Sequence, residues 1–175
     1  GTDASTFAWT VGGSPAGTTS TLAASATSAG AMVVCTVTPN DGTDSGTAKS
    51  ASLTINTPPT APAVAITPSA PAPSDDLVCS ITAATDADGG ALTYDFAWTK
   101  GGEATSYSLT GAAADATLTA PTTATAAGDS WTCTVTAHDG TDEGNTDSDS
   151  LIIDNTPPVL VDVSLSPDPA FEGDT

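Results

Sequence analysis

The sequence of 175 residues carries 21 acidic side chains against two lysines, a formal net charge of −19. So negative a surface repels phosphate backbones and anionic headgroups, and two lysines cannot neutralise even a short nucleic-acid site, so nucleic acid is excluded as a partner. Aromatic residues make up 5 % and no helical apolar stripe recurs, which points to β structure; no apolar run reaches the ~20 residues that span a bilayer, so no direct membrane insertion is expected.

Taken in chain order, the first recognisable element is Phe7-Ala8-Trp9, which returns as Phe96-Ala97-Trp98. Next comes Cys35-Thr-Val-Thr-Pro-Asn-Asp-Gly-Thr-Asp44, matched by Cys133-Thr-Val-Thr-Ala-His-Asp-Gly-Thr-Asp142. Asn56-Thr-Pro-Pro59 is then matched by Asn155-Thr-Pro-Pro158. The matches keep their order and a period of about 90 to 100 residues, the length of one β-sandwich domain. Consecutive prolines cannot continue a ladder, so the Asn-Thr-Pro-Pro stretches are linkers. They divide the chain into the later part of a preceding unit (1–57), a complete unit (58–156) and the first strand or strands of a following unit (157–175). The last rests on the parallel between VDVSLSPDPAFEGDT and AVAITPSAPAPSDDL.

Within the complete unit, Val64 and Ile66 alternate in a first predicted strand that ends at Pro68, and Leu77, Cys79 and Ile81 share one face of a second. Tyr94, Phe96 and Trp98 line one face of a third, with Thr93, Asp95 and Thr99 toward water, and Lys100-Gly101-Gly102 turns the chain. Ala116, Leu118 and Ala120 mark a later strand. Trp131, Cys133, Val135 and Ala137, alternating with Thr132, Thr134 and Thr136, give the clearest strand, and Leu151 and Ile153 the last. About seven short strands separated by turns predict a two-sheet sandwich.

The recurring CTVTxxDGT and NTPP motifs, the Ala/Thr/Asp-rich units and the order Cys79, Trp98, Cys133 resemble the tandem immunoglobulin-like (Ig-like or cadherin-like) repeats of large prokaryotic extracellular surface or filament proteins. The resemblance implies an all-β chain of tandem Ig-like Greek-key β-sandwiches with a disulfide joining the second and penultimate strands across the two sheets. Cys79 would pair with Cys133 over a core of Trp98, Phe96, Trp131 and, in the preceding unit, Trp9. Cys35 would pair with a cysteine outside the segment or in a neighbouring chain. Two residues before the second cysteine, where immunoglobulin domains often carry tyrosine, stand Trp131 and Val33; this departs from the antibody type. Disulfides imply an oxidising compartment, hence an extracellular or cell-surface location.

Two readings of the acidic loops stand side by side. Asp86 and Asp88 precede Gly89-Gly90 and read as a polar turn or as part of a calcium site completed by other loops. Asp139, Asp142 and Asp154, near a linker, resemble the acidic junctions at which calcium stiffens cadherin-like arrays. Calcium is the one cofactor considered. Lys49 and Lys100 fall in polar contexts and read as solvated, and His138, which replaces Asn40 of the other repeat, reads as a surface histidine. The sequence has no G-x-S-x-G, phosphate loop or zinc-like Cys/His spacing, and the chain is read as non-enzymatic. The expected function is a structural, adhesive component of an extracellular stalk or filament whose partners are neighbouring Ig-like repeats or identical subunits. The alternatives are a module binding a cell-surface glycan or protein through DADGG, GTDEGNTDSD and KGGEATSYS with Tyr107, or spacer domains of a larger secreted enzyme.

Overall fold

Threonine and small apolar residues in alternation favour extended backbone with one dry face. In the computed structural model, which describes residues 2–155 and 157–164, they form eleven strands. β1 (Thr6–Val11), β2 (Ser14–Gly17), β3 (Met32–Thr38) and β4 (Lys49–Thr54) make one antiparallel sheet in the order β2-β1-β3-β4. After the Asn56-Thr-Pro-Pro59 linker come β5 (Ala63–Thr67), β6 (Leu77–Thr82), β7 (Thr93–Lys100), β8 (Glu103–Ala112), β9 (Leu118–Ala120), β10 (Ser130–His138) and β11 (Glu143–Ile152). These seven form two antiparallel sheets, β5-β6-β9 and β11-β10-β7-β8. The chain is therefore all-β, and its second part is the expected sandwich.

The core lies between those two sheets, and the alternation places it. Tyr94, Phe96 and Trp98 of β7 meet Trp131, Cys133, Val135 and Ala137 of β10, and Ile66, Leu77, Cys79 and Ala120 close it from the other sheet. The Trp98 and Trp131 rings stack edge to face with centroids 5.8 Å apart, a geometry that matches the positive ring edge to the negative face. The Trp98 indole N–H donates to the Leu118 carbonyl at 3.2 Å, so the buried nitrogen of this side chain is paired.

Two elements differ from the sequence reading. KGGEATSYS is not a loop throughout: beyond its turn it becomes the ten-residue edge strand β8, where Tyr107 tilts onto Trp131 with centroids 6.3 Å apart. GTDEGNTDSD is mostly the first half of β11, and Ile153, expected in that strand, is buried just past its end. A polar strand of this length holds because Asp147 and Asp149 accept the backbone N–H groups of Val64 (3.1 Å) and Ile66 (2.9 Å). The two carboxylates lace β11 to the otherwise unpaired edge of β5, protecting that edge from pairing with another chain.

Lys100 is not a solvated turn lysine. Its ammonium lies 2.6 Å from the Asp129 carboxylate, 3.0 Å from the Ala124 carbonyl and 5.6 Å from the centroid of Trp131. Of the following unit expected over 157–175, residues 165–175 lie outside the described residues, as does Thr156 before it, and 157–164 form no strand.

Candidate functional site

The linker between the N-terminal sheet and the sandwich is where the sequence's most repetitive residues meet. Ile55 is tied back to the sheet: its N–H donates to the Ala31 carbonyl at 3.0 Å and its carbonyl accepts the Gly30 N–H at 2.9 Å. One residue on, the side-chain amide of Asn56 donates to Asp139 at 2.7 Å and Asp142 at 2.9 Å, and the Thr57 N–H donates to Asp88. Pro59 is fully buried, its carbonyl accepting the Asn145 N–H at 3.3 Å, and the Thr60 N–H reaches the Thr85 carbonyl at 2.9 Å. A Cβ added to Gly144 would lie 2.5 Å from the Pro59 oxygen, so glycine is what lets the linker sit this close. Six consecutive residues thus leave only Pro58 without a bond or burial, and Pro58 has no N–H to satisfy.

The receiving loop is built before the linker reaches it. In Asp-Gly-Thr-Asp the first carboxylate folds back on the loop: Asp139 Oδ1 accepts the N–H groups of Thr141 (2.7 Å) and Asp142 (2.8 Å). Asp41 does the same with Thr43 and Asp44, both at 2.9 Å. This Asx turn leaves Oδ2 outward and ionised. The Asn56 amide, followed by the two backbone donors, holds the Asp139 carboxyl below the usual carboxylate range; Asp41, with backbone donors from Asp44 and Thr43 alone, is lowered by the turn itself. On the N-terminal sheet the same loop opens onto a concavity of about 570 Å³ that includes Asp3, Asn40, Asp41 and Asp44.

The five carboxylates considered for calcium do not form one cluster: Asp88, Asp139 and Asp142 each bond one of the adjacent linker residues Asn56 and Thr57, and Asp154 stands apart. Asp139 and Asp142 are bridged by an N–H₂ group, a donor where an ion would require an oxygen ligand. Asp88 bonds Thr57, and Asp86 accepts the Asp88 N–H at 2.8 Å. Asp154 is at the other end of the sandwich, its N–H on the Pro71 carbonyl, beyond the ten-residue strand β11 and so roughly 30 Å away. The junction expected from Asp139, Asp142 and Asp154 is therefore corrected. Among the described residues no group of three or more His, Cys, Asp or Glu is placed to hold an ion.

Cys79 and Cys133 form a disulfide between β6 and β10 with Cα atoms 6.3 Å apart. Cys133 stands directly opposite Trp98 in the β10–β7 ladder, and Cys35 opposite Trp9 in β3–β1. Phe96, Trp98 and Trp131 are buried, whereas Trp9 is half-buried and Cys35 is a half-buried free thiol. His138, at the end of β10, lies 3.4 Å from Asp95 of β7 on the face opposite the core residues. Sequence reasoning missed the Asn56 contact, although the recurrence of Asn before Thr-Pro-Pro and of Asp-Gly-Thr-Asp was its signal.

No protein-family model and no curated protein matches the sequence. Among solved structures, the chain is similar to a segment of two fibronectin type III domains from chicken tenascin, at 11 % identity over 85 % of this chain and 83 % of that one (TM-score 0.43). It is similar to the chicken interferon gamma receptor alpha chain, at 11 % identity over 86 % and 85 % (TM-score 0.43). It is also similar to the Ig1–Ig3 ectodomain of mouse nectin-like molecule 4, at 17 % identity over 90 % and 57 % (TM-score 0.38).

Proposed function

We propose that the chain is a non-enzymatic structural segment of an extracellular stalk, in which disulfide-locked Ig-like repeats are set end to end by docked Asn-Thr-Pro-Pro linkers. Residues 58–156 then form one full repeat. The observation that carries this reading is the seating of Asn56 and Thr57 on Asp139, Asp142 and Asp88. A tether that only joined two domains would need none of these bonds; a stalk that transmits position needs each repeat to fix the angle of the next. The Cys79–Cys133 bridge favours an oxidising, extracellular setting. Its partners on this reading are neighbouring repeats of the same kind.

Recognition of a glycan or receptor finds less support, since two of the three loops assigned to it are strands β8 and β11 and Tyr107 packs on Trp131. Small-angle X-ray scattering of the chain and of a variant with Asn56, Thr57 and Pro58 all changed to glycine tests the proposal. The native chain is expected to fit one extended arrangement and the variant a broad distribution. Indistinguishable profiles would remove the basis for a stiff stalk.

A further inference from the structure

An aspartate followed by glycine can close a ring onto its own backbone, because no side chain shields the glycine nitrogen. The chain carries this dipeptide at Asp41-Gly42, Asp88-Gly89 and Asp139-Gly140. Closure asks that the side chain turn back over the next amide and that its carboxyl take up a proton, so that water can leave. Two of the sites are held against it. Asp139 Oδ1 accepts the N–H groups of Thr141 and Asp142 while Oδ2 accepts the Asn56 amide, and Asp41 Oδ1 accepts the N–H groups of Thr43 and Asp44. These donors favour the ionised carboxyl and hold both groups below their usual range, which depletes the reactive form. The Gly42 N–H is also engaged, donating to Asn40 Oδ1 at 2.6 Å.

Asp88 is held differently. Its carboxylate has one partner among the described residues, the Thr57 N–H, and that donor belongs to the linker and not to its own turn. The loop from Ala87 to Gly90 is exposed. Gly89 and Gly90 both take positive φ, 78° and 133°, and a Cβ built on either meets nothing within 4 Å. The loop therefore has room to bring nitrogen and carboxyl together once the linker lets go.

We infer that Asp88-Gly89 is a site of spontaneous isoaspartate formation, and that the docked linker gates it. The Gly89 amide nitrogen attacks Cγ of the protonated Asp88 side chain. An N–Cγ bond forms, the Cγ–O bond breaks, and the hydroxyl leaves with the amide proton as water. Water then opens the five-membered ring at either carbonyl, giving back aspartate or yielding isoaspartate; no electrons are exchanged and water is the one co-reactant. In isoaspartate the carboxyl carbon that faced Thr57 has entered the main chain, and a carboxylate stands on the α-carbon instead. The Thr57 bond is thereby lost, and Asn56 alone continues to hold the linker. Conversely, Asp88 cannot turn back over Gly89 while it accepts Thr57, so the step proceeds from the minor state in which the linker has lifted. Age then loosens the joint in one direction. The choice of site rests on the loop alone, whereas the release rests on the docked linker of the proposed stalk.

The test ages the full chain at neutral pH and body temperature and measures isoaspartate at the three Asp-Gly bonds by peptide mapping with electron-transfer fragmentation. Isomerisation is expected at Asp88 several-fold ahead of Asp41 and Asp139. It should be faster in Asn56→Ala, whose linker is looser, and absent at this position in Asp88→Glu, whose longer side chain does not close the five-membered ring. The isomerised chain, separated by ion exchange, is expected to exchange its Thr57 amide faster than the fresh chain. Isomerisation of Asp41 or Asp139 equal to or ahead of Asp88 would overturn the choice of site, and an isomerised chain with Thr57 as protected as in the fresh one would overturn the release. A Thr57 amide already open in the fresh chain would count against the docked linker, and against the gate with it, while the comparison of the three sites still decides where the modification falls.

Discussion

The side-chain amide of Asn56 bonds the carboxylate of Asp139 at 2.7 Å across 83 residues of sequence. Both residues belong to motifs the chain repeats, one at a linker and the other in an Asp-Gly-Thr-Asp turn, so the contact joins the two recurring features of the array. A neutral amide between two carboxylates screens their repulsion while adding no charge of its own.

Replacing Asn56 by aspartate is expected to harm the joint more than replacing it by alanine. Alanine only removes the two donors, whereas aspartate sets a third carboxylate against Asp139 and Asp142. Limited proteolysis at residues 55–60 measures this: cleavage should quicken in the order native, Asn56→Ala, Asn56→Asp.

Acid should loosen the same contact. Asp139 titrates below the ordinary carboxylate value of 3.8. Its contribution is therefore present above the unfolded value and is lost as pH falls through the lower folded one. Linker proteolysis should stay constant down to about pH 4 and rise below it. Asn56→Ala should raise the Asp139 pKa, as followed by carboxyl-carbon NMR, and leave Asp41 unmoved.

Gly144→Ala tests the close approach of the linker. The added methyl would sit 2.5 Å from the Pro59 oxygen and 3.1 Å from its carbonyl carbon, backbone that must move away. Overpacking of this kind costs about 1–3 kcal/mol. It should appear as faster exchange of the Asn145 and Thr60 amides, while the amides of β7 and β10 keep their protection.

Removal of the disulfide by Cys79→Ala with Cys133→Ala should destabilise the sandwich by about 4 kcal/mol on the chain-entropy model for a loop of this length, the cysteines being 54 residues apart. Denaturant titration followed by tryptophan fluorescence reads the loss. An unchanged midpoint would show that the bridge does not carry the stability assigned to it.

What could be read from the sequence was whatever alternation and repetition encode. Tyr94, Phe96 and Trp98, and Trp131 through Ala137, are strands by their own pattern, and the recurring motifs located the linkers. β8 escaped because an exposed edge strand keeps no apolar alternation, and β11 because its aspartates point at the backbone of β5. Lys100 looked solvated because the carboxylate and ring that hold it lie about thirty residues further on and meet it only in the folded sheet. The calcium junction failed on geometry: Asp139 and Asp154 are near in sequence but separated by the full length of a strand.

Residual dipolar couplings measured separately on β1–β4 and on β5–β11 test most directly whether the docked linker fixes one repeat against the next. The docked joint predicts a single alignment tensor for both parts in the native chain and two unequal tensors in Asn56→Asp. Two unequal tensors in the native chain would contradict it.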